Sequence, residues 1–452
     1  MFSNFKQKKH RQYVAQLPKI PQVAADVKTL YSPHDFYREL IRIISFAKKR
    51  IYLVALYLEQ DQGGKRILEA VYKAKYHNVS LDATILIDWH RAQRNRIGEI
   101  GSNTNADWYC RMMQDHPDID VPIYGIPVNT REALGVFHLK GCIIDDQVIY
   151  SGASLNNVYL HQLDKYRYDR YKIIRNLSLS DTLLTYIKQY LLTAPAVRRL
   201  DNVSRPKTFE IKHDTKMLRQ LLRKADYRFQ GKANSNELAI TPLIGLGRQS
   251  PLNKTIHHLL CSTENNLILC TPYFNLPTLL KYDLISLLRI GKRIEIVIGD
   301  KTANDFYVPE ESSFKMIDIL PYLYEINLRH FLRPLQRYID ENKLIVRLWQ
   351  DGTNSFHIKG IWIDNTWQLL TGNNLNPRAW RLDLENALLI HDPEEVLCLQ
   401  RKKELDQICI HTKIIQHFSE LENIDDYPIK IRKFIRRLRR MLIDRLINRI
   451  LL

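Results

Sequence analysis

The apolar positions of this chain fall into a pattern that occurs twice. Ser32, followed by Pro33 and Asp35, predicts a helix start, because a serine oxygen caps free backbone N–H groups and proline suits the first helical position. Behind it Phe36, Leu40, Ile43, Ile44 and Ala47 share one face at helical spacing. Residues 51–58 are a continuous apolar run and read as a buried strand. Gly63 and Gly64 break the chain before a second helix carrying Ile67, Ala70, Val71 and Ala74 on one face, and another strand is predicted over 81–88. Residues 106–115 read as helix, 119–126 as extended, and 136–150 as strand, turn, strand. From Ser250 and Pro251 the order returns: a helix, a strand over 267–273, a helix over 277–290, strands over 293–299 and 344–349, and an apolar segment over 356–371. Strand and helix in alternation predict an α/β fold, with ligands gathered at the carboxyl ends of parallel strands.

One short motif marks the same place in each copy. His138, Lys140 and Asp145 have the spacing His-x-Lys-x4-Asp, and His357, Lys359 and Asp364 repeat it. A single copy arises easily by chance, whereas two in matching register imply duplication. The Ser-Pro pairs stand 218 residues apart, the motif histidines 219, and Gly152 and Gly372 220. The chain therefore reads as two homologous halves, 1–193 and 211–400. Residues 194–210, with prolines, charge and weak periodicity, are the expected linker, and 401–452 a helical basic segment.

In a strand, residues i and i+2 share a face, so each His-Lys pair points one way. The aspartates fall at the opposite parity and are expected to hold the turn and backbone, apart from proton transfer. Two halves packed about a pseudo-twofold axis would bring both pairs to one shared site. Two imidazoles and two ammonium groups around one anion suit a phosphodiester. The lysines stabilise charge on the non-bridging oxygens, one neutral imidazole attacks phosphorus, and the other, protonated, serves the leaving group. Opposite protonation states predict a coupled titration. No cluster of acids or cysteines at metal-ligand spacing accompanies the motif, so no metal and no cofactor is expected. Arg91, Arg94 and Arg96, after the predicted strand at 81–88, are either phosphate contacts or solvated loop charges.

Composition narrows the partners. The 452 residues carry a formal net charge of +18, which draws a protein towards polyanions, nucleic acid or an anionic membrane. The six cysteines have no paired spacing and read as free thiols of a reducing compartment. Lys6, Lys8, Lys9 and Arg11 precede no apolar stretch of a secretory signal, and no run reaches the ~18 apolar residues of a spanning helix. From residue 429 the chain carries Lys430, Arg432, Lys433, Arg436, Arg437, Arg439, Arg440, Arg445 and Arg449 against one acid, Asp444. Ile431, Ile435, Leu438, Leu442, Leu446 and Ile450 recur at helical spacing. Such a helix lies in a membrane interface with its arginines on headgroups, or docks on the protein's own core. The balance of arginine favours lipid, with RNA or ribosome binding left open.

The paired motifs resemble those of the phospholipase D superfamily over roughly residues 30–400. The text at 57–61, 87–93, 102–109 and 371–380 is similar, more narrowly, to its bacterial phosphatidylserine synthases. That resemblance implies a cytoplasmic enzyme, peripheral on the inner face of the cytoplasmic membrane. It would move the phosphatidyl group of CDP-diacylglycerol to L-serine, releasing CMP, on the way to phosphatidylethanolamine. By the same resemblance His138 is the nucleophile, His357 the acid and base, and carboxylates some thirty residues downstream orient them across the repeat: Glu385 for His138, Asp169 for His357. The superfamily's Gly-Ser-x-Asn continuation is altered to Gly-Ala-Ser-Leu-Asn at 152–156 and Gly-Asn-Asn-Leu-Asn at 372–376. Ser154, Asn156, Asn374 and Asn376 are the matching phosphate contacts, and Arg91, Arg167, Tyr273 and Arg378, with Tyr168 and Arg170, the candidate pocket residues. Competing readings are a cardiolipin synthase, a hydrolytic phospholipase D or a nuclease with the same residues, and a non-enzymatic binding protein, which would have no reason to keep both His-Lys pairs.

Overall fold

The computed structural model describes residues 2–94, 103–309 and 315–440, so Arg96 and the helix positions from Leu442 onwards lie outside the described residues. Two mixed sheets repeat one topology. In the first, Ile123–Ile126, Asp82–Asp88 and Arg50–Val54 run parallel, and Cys142–Ile144, Gln147–Ser151, Tyr171–Arg175 and Val27–Leu30 continue antiparallel. In the second, Leu344–Trp349, Arg293–Gly299 and Asn266–Thr271 run parallel, and Gly360–Ile363, Trp367–Thr371, Leu384–His391 and Ala239–Leu246 follow antiparallel. Strand for strand the order is the same.

Side-chain alternation builds the layers. Ile51 and Leu53 face the helices of the first half, while Tyr52 and Val54 join a core that also holds Ile240, Ile244, Leu370, Leu388 and Ile390 of the second. The second sheet turns Leu243, Leu369, Ala387 and Leu389 towards its own helices. The two sheets thus face each other across a shared apolar core, with helices outside. Helix Pro33–Ser45 starts as expected, with the Ser32 oxygen accepting from Asp35 N–H at 3.0 Å, a cap worth about 1 kcal/mol. Helix Gln62–His77 is capped by Asp61, so Gly63 and Gly64 fall in its first turn and do not precede it.

The halves also exchange segments, which the sequence pattern does not reveal. Helix Phe2–Ala15 packs on helix Pro251–Cys261, and Ile20–Pro21 pairs with Ala239–Leu246, so the amino terminus belongs to the second half. Within 194–210, Arg198–Arg199 pairs with Ile123–Ile126, and Ala196, Leu200 and Asp201 are buried. Its lack of periodicity reflects a two-residue edge strand, too short to show alternation. Helix Cys398–Cys409 and strand Thr412–Ile414 complete the second sheet's side of the molecule, and helix Ile429–Arg440 follows.

Candidate active site

Each motif histidine is positioned by backbone from the other half. Leu384 N–H donates to Val136 O and His138 N–H to Leu384 O, both at 3.0 Å, joining the first motif to the strand that carries Glu385. Ser355–Phe356 pairs in parallel with Arg167–Tyr168, and His357 N–H donates to Tyr168 O at 2.8 Å, beside Asp169. As a result His138 Nδ1 lies 2.9 Å from both Glu385 oxygens, and His357 Nδ1 lies 2.7 Å from Asp169 Oδ2. Lys140 is fixed by Asn386, whose side chain accepts from Lys140 N–H at 2.9 Å and donates to Lys140 O at 2.8 Å. Its ammonium group donates to Ala153 O at 3.2 Å. Lys359 Nζ is in closest contact with His357 Nδ1 and stands 2.9 Å from Nε2 and 3.4 Å from Asp169 Oδ2. The approach is close enough to demand glycine: a Cβ on Gly152 would sit 2.7 Å from both Asp169 oxygens, and one on Gly372 would sit 2.8 Å from Lys140 Cγ.

Burial and mutual repulsion set the charges. Burial, then the Lys140, Lys359 and His357 charges, hold the His138 imidazole well below its ordinary pKa. His357 falls to about 4 through burial and Lys359, with Asp169 opposing. Lys140 and Lys359 are lowered to about 8 by burial, against the pull of Asp169. Burial pushes the Asp169 carboxyl up, but Lys359 and His357 outweigh it and hold it down, whereas burial and Asp383 raise Glu385 well above the usual range. The site is a buried, cation-rich pocket whose ammonium groups titrate close to neutrality. An anion between them would relieve the repulsion.

A family profile described as "Cardiolipin synthase, PLD-like domain" matches residues 256–416. The CDP-diacylglycerol–serine O-phosphatidyltransferase of Escherichia coli strain K12 is 60% identical over 100% of both chains, and that of Haemophilus influenzae is 47% identical over 99% of both. The crystal structure of the Haemophilus influenzae phosphatidylserine synthase superposes with a TM-score of 0.96 at 47% identity, covering 99% of this chain and 100% of that one. The chain belongs to the phosphatidylserine synthase family. It is a phospholipid-synthesising transferase of phospholipase D-like fold.

Asp145 and Asp364 stand apart from the imidazoles. Asp145 accepts from the N–H groups of Lys48, Lys49 and Arg50, and Asp364 from those of Glu264, Asn265 and Asn266. Both sit at positive φ in the hairpin turn, where aspartate is tolerated, and tie it to the start of a central strand. Both carboxylates hold the turn, as their parity in the strand leads one to expect, and neither reaches an imidazole.

The phosphate contacts divide. Asn156 accepts from Tyr159 N–H and donates to Glu59, and Asn376 caps helix Pro377–Arg381 by accepting from Ala379 N–H, so both side chains shape the loops after the motifs. Ser154 is buried, and Asn374 Oδ1 and its neighbour Asn373 Nδ2 are buried without a hydrogen-bond partner within the chain. Arg91 pairs with Glu132 at 2.8 Å, Arg94 with the same carboxylate at 2.6 Å, and Arg378 donates to Glu132 O at 3.1 Å. Arg167 pairs with Asp305 at 2.7 Å and lies over the Tyr159 ring at 4.6 Å. A cavity of about 310 Å³ is lined by Tyr57, Glu59, Arg91, Arg94, Asn156 and Arg167 among others. Tyr273 stacks on Tyr324 at 4.4 Å, beside a second cavity. Tyr168 supplies backbone, and Arg170 is buried against Glu404 and the Trp362 ring, so neither is a pocket residue.

Tyr159 was missed by motif reading. Its hydroxyl lies 3.0 Å from His357 Nε2 and 3.2 Å from Nδ1, and its ring meets the imidazole edge-on. The position matching it in the second half is Ala379, each seven residues beyond its glycine. That break in the repeat was the available signal.

The basic helix Ile429–Arg440 is docked. Ile431, Ile435 and Leu438 are buried against Ile319, Tyr322, Leu323 and Ile326, so its described apolar stripe is spent on the protein's own core and is not offered to lipid. Lys430, Lys433, Arg436, Arg437 and Arg440 are exposed, with Arg432 and Arg439 half-buried. Arginine density does not register the apolar partner that covers the other face.

Proposed function

We propose that the chain transfers the phosphatidyl group of CDP-diacylglycerol to the hydroxyl of L-serine by way of a phosphatidyl group on His138. The observation that carries this reading is the crossed arrangement of His138–Glu385 and His357–Asp169, each with a buried lysine. With Nδ1–H donated to Glu385, His138 Nε2 holds the lone pair that attacks phosphorus. The N–P bond forms, the P–O bond to CMP breaks, and His357, which takes up a proton once the bound phosphate offsets the Lys359 charge, gives it to the departing oxygen. Serine then enters: His357 takes the hydroxyl proton, the O–P bond forms and the N–P bond breaks. Lys140 and Lys359 face the non-bridging oxygens, where negative charge builds, and Asn373 Nδ2 supplies a further donor.

Tyr159 supports this division of labour. It donates to His357 Nε2 when that nitrogen is bare and accepts from it when protonated, a service His138 lacks because Ala379 stands in the matching place. The arginine-lined cavity beside Tyr159 suits the polar reactants, CMP and serine, on the side of the acid and base. The exposed cations of helix Ile429–Arg440 suit peripheral attachment to the anionic inner face of the cytoplasmic membrane, and no helix among the described residues is long and apolar enough to cross one. The same cations would attract RNA.

The test is quenched mass spectrometry after mixing with CDP-diacylglycerol, with and without serine, for wild type, His138→Ala and His357→Ala. An adduct on His138 that serine discharges to phosphatidylserine is expected. An adduct on His357 alone would reverse the assignment. Product without any adduct at millisecond quench times would favour direct displacement.

A further inference from the structure

Away from the motifs, the seam between the amino-terminal helix and the second half gathers metal-ligating side chains that the proposed reaction does not use. His257 and Cys261 are four residues apart on helix Pro251–Cys261 and therefore share a face. Helix Phe2–Ala15 packs on that face and brings His10 to it. The donor atoms of His10, His257 and Cys261 all lie within 4.8 Å of one another, and all three residues are half-buried. Two more groups close the cluster. His258 Nδ1 lies 2.9 Å from His10 Nδ1, and Asp283, from helix Thr278–Arg289, holds His257 Nδ1 at 2.7 Å.

We propose that His10, His257 and Cys261 form a structural metal site for Zn(II), which staples the amino-terminal helix to the second half. Thiolate and imidazole are the donors that select zinc over magnesium or calcium, which take oxygen. The spacings fit. Zinc bonds of about 2.3 Å to sulfur and about 2.0 Å to nitrogen give tetrahedral edges of roughly 3.5 Å between S and N and roughly 3.3 Å between two N atoms. Cys261 Sγ lies 3.9 Å from His257 Nδ1, within about half an ångström of its tetrahedral edge, and the other pairs among the three ligands lie within 4.8 Å, so side-chain movements of up to about 1.5 Å close the site. The fourth position falls to water or, after a ring movement, to His258, whose Nδ1 meets His10 at the edge of the group. Asp283 holds His257 Nδ1, the nitrogen that also lies nearest Cys261 Sγ, so metal binding would displace that hydrogen bond or turn the ring to offer Nε2; with the thiolate the carboxylate balances the dication. The ring of Tyr13 stacks on His258 at 3.9 Å and fixes its plane.

A metal here ties position 10 to positions 257–261, so its binding energy adds to the hold on a helix at one end of the chain. The experiment uses untagged full-length protein stripped with a chelator and titrated with Zn(II), and in parallel with Co(II) as a spectroscopic probe. One equivalent of Zn(II) is expected to bind, raise the melting temperature and shield Cys261 from alkylation. Co(II) is expected to show a sulfur-to-metal charge-transfer band and intense tetrahedral d–d bands. Cys261→Ser should remove the charge-transfer band, and His10→Gln, which removes a direct ligand, should weaken Zn(II) binding by at least about 100-fold, more than loss of an outer-shell partner would, with the fold verified by circular dichroism. Absence of a saturable one-equivalent site in wild type, a Co(II) spectrum without the sulfur band, or wild-type binding by both variants would each overturn the proposal.

Discussion

His138 and Glu385 are 247 residues apart in the chain and 2.9 Å apart in the structure, and the reciprocal pair, His357 and Asp169, lies at 2.7 Å. Each imidazole therefore depends on the half that does not encode it. Asp169→Asn removes the charge that steadies His357 when it is protonated, and Glu385→Gln replaces the acceptor that orients His138 Nδ1–H with an amide that can present N–H instead. Each is expected to lower kcat by about 10²–10⁴-fold with little change in KM for serine. Steady-state kinetics in mixed micelles would check this, and an unchanged kcat would remove the carboxylates from the mechanism.

The lysines predict the alkaline behaviour. Lys140 and Lys359 titrate at about 8 in the folded protein against 10.5 when exposed, so kcat/KM should fall as pH rises through about 8, where the ammonium charge is lost. Stability should move the other way. Between about 8 and 10.5 the unfolded chain binds more protons than the folded one, so these two groups make stability rise with pH across that window. The alkaline limb is checked by the wild-type pH–rate profile, and Lys140→Met with Lys359→Met should abolish turnover and remove that rise, measured by urea unfolding at pH 8 and 10.

Tyr159→Phe removes one hydrogen bond from His357 and leaves the packing. Because that bond serves a ring that cycles through the charged form, a loss of about 10–100-fold in kcat is expected. The phosphatidyl adduct on His138 should form slowly and also discharge slowly to serine. Rapid-quench kinetics separate the two steps, and wild-type rates in both would show that the hydroxyl is idle.

Asp145→Ala and Asp364→Ala should act on stability. Each leaves three backbone N–H groups without their carboxylate and puts alanine at positive φ, a cost of about 1–3 kcal/mol. Thermal melts should show a lower midpoint while kcat of the remaining folded enzyme is retained. A large loss of kcat at unchanged stability would return these residues to the active site.

The docked helix separates charge from fold. Reversing Lys433, Arg437 and Arg440 to glutamate should weaken sedimentation with anionic vesicles by about 1 kcal/mol per charge, in a salt-dependent way, without unfolding. Ile435→Ala should instead destabilise by about 2–5 kcal/mol, since Ile435 is fully buried. Equal vesicle binding by the reversed variant would place the membrane contact elsewhere.

The sequence by itself determined the duplication, the order of strands and helices, and the chemistry of the site. Periodicity reports which face of an element is buried, and a spacing such as His-x-Lys survives whatever the halves do in space. The pairings of Glu385 with His138 and Asp169 with His357 entered only by resemblance. Tertiary structure decided what distance along the chain conceals. The segment exchange that sends Ser355–Phe356 against Arg167–Tyr168 brings Tyr159 onto His357, and docking on Tyr322 and Ile326 takes the apolar face of helix Ile429–Arg440 away from lipid. His10 meets His257 and Cys261 for the same reason. Local pattern encodes the element and its buried face, and only the packed fold specifies which surface, nearby or hundreds of residues away, will cover it.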